Sequence, residues 1–390
     1  MATHVVSADS HVMEPATLWT ERLDRKFQDR APRVVQQEDG SYRFVAPGIH
    51  PFPVAAGFGI GKSGAELKEH LRKGYEAARP SGWDPVERLK DQDIDGVAAE
   101  VLYTTLGMPL FALDDAELQH ACFSVFNNWL AEYASHAPKR LYPIALIPLE
   151  DIEAGVRELQ RCAKIGLRGA MIWGAPPEDR PYSKALYDPF WAAAQDLDLP
   201  ISLHIITQRK QREIKFKFDR SKEEEAGDAK AGAAKEDGAT ASPFPAIDPI
   251  FEIQQSIRSL IYGGALERFP KLKIVSAEND AGWVAHYLHR LDHGHEKLYG
   301  KQPGGRLKKM PSEYLREHLW ATFQDDPVAP LTCSYFGEDH FMWASDFPHT
   351  DSTWPHSQEV IARDFANVSD TVRRKILSEN VIKLYRMDLN

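Results

Sequence analysis

The chain has 390 residues, 43% hydrophobic and 27% charged, the proportions of an ordinary globular protein. Its 57 acidic residues outweigh 47 basic ones, and with no long basic cluster a nucleic-acid partner is excluded. No run approaches the ~20 apolar residues that would span a membrane.

The opening MATHVVSADSH enters a strand-like run at once, unlike a cleaved leader. Cys122, Cys162 and Cys333 are too scattered for a disulfide framework or a thiolate zinc site, so a cytoplasmic protein with reduced thiols is expected. The first buried strand is expected at residues 5–8. Residues 10–80 belong to a long excursion, rich in Pro and Gly around 45–64, that reads as an inserted arm or subdomain over a barrel mouth. Asp84-Pro85 has the form of an N-cap followed by proline at the first helical position. Strands follow at 97–103 and 141–147. Ile152, Val156 and Leu159 then recur at helical spacing, with Gly166 as a stop.

A strand at 169–173 precedes a second apolar face of Leu186, Phe190, Trp191, Ala194 and Leu197. The fifth strand is expected at 201–205. Residues 219–241 contain no aromatic and no β-branched apolar side chain, so a disordered insertion is expected there. The remaining strands fall at 273–277, 319–323 and 341–345, with Trp283, Tyr287, Leu288 and Leu291 marking a helix between the first two. Eight strands alternating with helices point to an α/β protein. The expected architecture is a (β/α)₈ TIM barrel spanning 1–390 as one domain, with an open doubly wound sheet as the competitor.

Groups able to bind a metal stand at the C-terminal ends of these strands. The first ends in Asp9-Ser10-His11, whose outer two residues share one face of an extended chain. His204 lies in the fifth strand, Glu278 follows the sixth, and Asp346 follows the eighth. Singly, each has a plainer reading as a core histidine, a turn former or a helix cap. Their joint placement on one rim selects the metal reading. Imidazole with carboxylate and no thiolate suits an open site for one divalent ion, Zn²⁺ foremost, with Mn²⁺ or Fe²⁺ as alternatives.

The sequence resembles the amidohydrolase superfamily, in the branch that includes amino-carboxymuconate-semialdehyde decarboxylase and resorcylate-type decarboxylases. The resemblance rests on SADSHVMEP at 7–15, GWDPVERLKDQDIDGVAAEVLY at 82–103 and GLRGAMIW at 166–173. It continues through SLH at 202–204, KIVSAENDAGW at 273–283, ASDFPHTDSTWPHS at 344–357 and NVIKLY at 380–385. It implies the barrel fold, a homo-oligomer, and metal ligands at Asp9, His11, His204 and Asp346. Glu14, in the same motif, either replaces Asp9 as a ligand or holds His11 from behind.

Two departures bear on the chemistry. The fourth strand, GAMIW, has no lysine or acidic bridge, which favours a mononuclear site. Glu278 stands where the decarboxylases of this branch place a proton-transferring histidine. A buried glutamate can take that role, and His349 is a second candidate shuttle. Trp173, Trp354 and His286 are candidate walls of the substrate pocket; the rest of the run HYLHRLDHGHEK reads as a polar helix face.

The main expectation is a metal-dependent decarboxylase of a small cyclic or aromatic carboxylic acid, with Glu278 or His349 supplying the proton. The alternative is a hydrolase of a C–N, C–O or C–C bond, with Asp346 as base toward an activated water. A catalytically inactive binding barrel is the rival from another class.

Overall fold

In the computed structural model the eight barrel strands are Val5–His11 (β1), Val97–Tyr103 (β2), Leu141–Leu146 (β3) and Gly169–Ile172 (β4), then Ile201–His204 (β5), Ile274–Ala277 (β6), Leu319–Phe323 (β7) and Phe341–Trp343 (β8). The structure describes residues 4–38, 40–57, 59–62, 64–209, 248–298, 300 and 307–389. The insertion expected at 219–241 lies outside them. Each strand pairs in parallel with the next in sequence, from β1 to β8. An open doubly wound sheet would reverse its order partway; this one does not.

Residues just beyond β8 close the barrel onto β1. The Asp346 N–H donates to the Asp9 carbonyl (3.0 Å), and the His11 N–H donates to the Phe347 carbonyl (2.6 Å). The Ser345 N–H donates to Ser7 Oγ (2.9 Å), and Ser10 and Ser345 share a hydroxyl bond of 3.0 Å. Small hydroxyl side chains let the two backbones approach while satisfying buried polar groups.

β1 runs to His11, past the residue-8 end read from the sequence. It keeps pairing with β2 after an irregularity between Ser7 and Ser10, and this carries Asp9 and His11 to the rim. Several other strands stop one or two residues early because the chain turns out of the ladder to present rim side chains.

The helices follow their expected signals. Pro85–Asp95 opens with the Asp84 carboxylate accepting from the Val86 N–H (2.8 Å) and ends at Gly96 in the left-handed region, φ 70°. Ile152–Lys164 is capped by Asp151, with Gly166 at φ 98° beyond its end. A glycine suits such positions because a Cβ is strained there.

Within residues 10–80 the chain forms a short helix, Leu18–Arg22, a three-stranded antiparallel sheet (Arg33–Gln36, Tyr42–Val45, Phe52–Pro53) and the helix Gly64–Lys73. Trp19 and Phe44 pack with ring centroids 5.1 Å apart. Gly57 lies against Thr105 and Met13, Gly59 against Thr350, and Gly61 against Trp354. The segment therefore passes over the loops that follow β2 and β8. Among the described residues no helix is long and apolar enough to cross a membrane.

Asp84→Ala removes the cap of Pro85–Asp95. It should cost about 1 kcal/mol, read as a lowered urea midpoint at unchanged slope.

Candidate metal centre

Four strand ends converge on one imidazole. His11 Nε2 lies 3.5 Å from Asp9 Oδ1, 3.1 Å from Glu278 Oε2 and 3.4 Å from Asp346 Oδ1. His204, the last residue of β5, places its Nε2 3.7 Å from Asp9 Oδ1 and 3.2 Å from Glu278 Oε2. Glu278 and Asp346 adopt left-handed backbone at φ 53° and φ 54°. For a non-glycine residue that conformation costs about 1–3 kcal/mol and tends to persist at functional sites. Here it ends β6 and starts the turn after β8 with each carboxylate aimed at His11.

Hydrogen bonds on the far side of each ring fix the tautomers. His11 Nδ1 lies 2.7 Å from the Thr104 carbonyl, and His204 Nδ1 lies 3.0 Å from the Ile205 carbonyl. A carbonyl only accepts, so both Nδ1 atoms carry protons, and each ring in its neutral form presents an Nε2 lone pair to the cluster. Asp9 Oδ1, His204 Nε2 and both Asp346 carboxylate oxygens are buried without a hydrogen-bond partner. Orphaned acceptors of this kind are costly in an interior. Lone pairs pointing at one spot are what a divalent cation satisfies, and the nitrogen–oxygen donor set fits such an ion. Among the described residues two overlapping groups could hold one: Asp9, His11 and His204, and His11, Glu278, Asp346 and His349.

The ionisation pattern agrees with a cluster short of positive charge. Burial alone would raise Asp9, but the His11 and His204 rings beside it hold it well below the usual carboxylate range. Burial disfavours charge on His11, yet Asp9 and Glu278 raise it well above an ordinary histidine. Asp346 is pushed up to about 7 by burial, with His11 pulling the other way.

His349 extends the cluster. Its Nδ1 is 2.9 Å from Asp346 Oδ1, its Nε2 is 3.0 Å from Thr105 Oγ1, and its ring stacks 4.0 Å from that of His11. The Thr105 hydroxyl spends its own proton on the Val12 carbonyl (2.7 Å), so it must accept from His349 Nε2–H. The Nδ1 lone pair then faces Asp346, and a proton or a cation has to lie there. Burial, with His11 adding to it, lowers His349 to about 3.

Sequence reasoning missed the threonines. Thr322 in β7 accepts from the Glu278 N–H (2.9 Å) and donates to Asp9 Oδ2 (3.0 Å), tying β6 to β1 across one hydroxyl. Thr104 and Thr105 orient His11 and His349. A lone polar residue next to the end of the otherwise apolar strand Leu319–Phe323 is the signal that was available for Thr322.

Other expected residues stand apart from the cluster. Glu14 accepts from Thr104 Oγ1 and from the Leu106 N–H (2.8 Å) and Gly107 N–H (3.3 Å), so its oxygens are engaged away from the metal donors. Of its two expected roles, support from behind is the one its position serves: it braces the loop whose carbonyl takes the His11 Nδ1 proton. Trp173 is buried with its indole N–H on the Phe111 carbonyl (3.0 Å), bracing the loop after β2. Trp354 turns toward the neighbouring helix: its indole donates to the Asp91 carbonyl (3.1 Å) and lies beneath Arg79, on the flank of Pro85–Asp95. His286 is exposed, because Val284, Leu288 and Leu291 take the inward face of Val284–Lys297 and turn it out.

The family model described as Amidohydrolase matches residues 26–387. Gamma-resorcylate decarboxylase from Polaromonas sp. is 25% identical over 317 residues, covering 77% of this chain and 87% of that protein. An amidohydrolase from Mycobacterium avium subsp. paratuberculosis superposes with TM-score 0.74 at 20% identity, over 99% of this chain and 98% of that one. A dihydroxybenzoic acid decarboxylase from Polaromonas sp., solved with bound manganese and the inhibitor 2-nitroresorcinol, superposes with TM-score 0.64 at 19% identity, over 98% and 97% of the two chains. Structural likeness at such identities carries the barrel fold, while the family match covers the chain from the arm to the last helix. This chain belongs to the amidohydrolase family.

Proposed function

We propose that the protein is a mononuclear, divalent-metal-dependent carboxy-lyase acting on a small cyclic or aromatic carboxylic acid. The observation that carries this reading is the set of partnerless buried acceptors on Asp9, His204 and Asp346 converging beside His11 Nε2, with Glu278 Oε2 3.1 Å from that nitrogen. The activity named for the Polaromonas relative supports decarboxylation. Asp9, His11, His204 and Asp346 would hold the ion, and the manganese in the Polaromonas structure makes Mn²⁺ the ion to load before Zn²⁺ or Fe²⁺. When bound, the ion would act as a Lewis acid toward a substrate oxygen.

The chain's own groups supply the rest. Glu278 is 15% exposed, against 0–1% for Asp9, His11, His204 and Asp346, so it is the carboxylate that a substrate meets. Its Oε2 donates a proton to the ring carbon that bears the carboxylate. The C–C bond then breaks, its electron pair restores the ring, and carbon dioxide leaves. Glu278 regains its proton from solvent. Thr105 orients His349 against Asp346, and Thr322 fixes Asp9 against the Glu278 backbone. Three buried, free cysteines support the cytoplasmic reading, and a homo-oligomer remains the expected assembly.

Hydrolysis is the second reading. It is favoured by the two partnerless Asp346 oxygens, which leave that carboxylate open to take a proton from water.

Chelator-stripped protein should gain several degrees of thermal midpoint on saturation with Mn²⁺. His204→Ala should abolish the gain. With Mn²⁺ loaded, hydroxylated benzoates should release carbon dioxide and take one solvent deuterium at the vacated carbon. Glu278→Gln should lower kcat by about 10²–10⁴-fold with the ion retained. Oxygen from labelled water entering the product without carbon dioxide release would move the assignment to hydrolysis.

A further inference from the structure

Arg88 is a full charge that the protein buries completely, and no step above uses it. It lies on Pro85–Asp95, where its Nε donates to Glu100 Oε2 at 2.6 Å. Its Nη1 donates to the His11 carbonyl at 2.7 Å, and its guanidinium lies over the Phe347 ring, 4.4 Å from the centroid. Gln92 Nε2 donates to the same Glu100 oxygen at 2.6 Å, so the carboxylate is held from two sides.

His11 and Phe347 are the two banks of the β8–β1 seam. Every other neighbouring pair of strands is joined by a ladder, but no ladder register joins β8 to β1 among the described residues. Three of the four ligands proposed above, Asp9, His11 and Asp346, stand on this seam. One guanidinium therefore grips the backbone of a ligand from β1 and the ring that directly follows the ligand after β8. A lysine could neutralise Glu100, but it has no plane to lay on Phe347 and no second donor in a fixed fork.

We propose that Arg88 is a positioning residue for the metal centre: by gripping the His11 carbonyl and the Phe347 ring together, it sets the spacing of Asp9 and His11 from Asp346. The inference rests on the metal reading above.

Arg88→Met alone would strand the buried Glu100 carboxylate and could unfold the protein. The informative variants are therefore Arg88→Met combined with Glu100→Gln, which removes both charges, and Arg88→Lys, which keeps the charge and loses the fork. Asp84→Ala weakens the same helix away from the seam and serves as the control. Mn²⁺ affinity of each chelator-stripped full chain is read by titration calorimetry, well below the thermal midpoint. The Mn²⁺ paramagnetic resonance spectrum is recorded alongside.

Both Arg88 variants should bind Mn²⁺ about 10–100-fold more weakly with an altered spectrum. Asp84→Ala should keep wild-type affinity. Wild-type affinity in the double variant would leave Arg88 as a charge balance for Glu100 and overturn the proposal alone. An equal loss in Asp84→Ala would overturn it too, since the ion would then sense helix stability in general. A wild type that takes up no divalent ion would overturn both this proposal and the metal reading.

Discussion

Three carboxylates, two of them fully buried and the third, Glu278, partly open to solvent, crowd a single buried imidazole. Asp9, Glu278 and Asp346 each place an oxygen within 3.5 Å of His11 Nε2. Burying that much negative charge is tolerable only when it is paired, and the pairing here is incomplete because several of the acceptors have no partner. Much of the surrounding structure can be understood as support for this unfavourable arrangement. Left-handed residues turn Glu278 and Asp346 inward, threonine hydroxyls fix the carboxylate and ring orientations, and serines draw the β8–β1 seam together. A divalent cation turns the cost into binding energy, since it meets lone pairs already aimed at it.

Much of the fold was legible in the sequence because barrel strands are covered on both faces and read as short apolar runs. Caps were legible for a similar reason: Asp84 and Gly166 act through local backbone groups. Asp9 and His11 were legible as a pair because alternation along a strand is a local rule. The irregularity between Ser7 and Ser10 was not, since it depends on how β1 meets β2.

Residues whose roles depend on distant partners were harder to read. Thr322 looks like strand filler until Glu278 and Asp9 flank it. Arg88 looks like a surface charge on an amphipathic helix until the seam is seen beneath it. His286 shows the reverse: its place in the run after the sixth strand suggested a site-facing position, but helix phase turns it to solvent. Trp354 was drawn to the site by its place after the eighth strand, yet its indole found a backbone acceptor on the neighbouring helix. Glu14 was left with two roles by the motif alone, and what it touches, the Thr104 hydroxyl and the Leu106 and Gly107 N–H groups, depends on a loop far away in sequence. Family membership fixes the scaffold, and the reaction has to be argued from Glu278 and its neighbours.

The most direct test of the metal account is anomalous scattering from a crystal of the wild-type chain soaked in Mn²⁺, collected near the manganese absorption edge. The account predicts one strong peak per chain, at coordination distance from Asp9, His11, His204 and Asp346, with Glu278 turned aside from the position it shares with the two imidazoles. A well-ordered pocket with no peak, or a peak held by other residues, would contradict it.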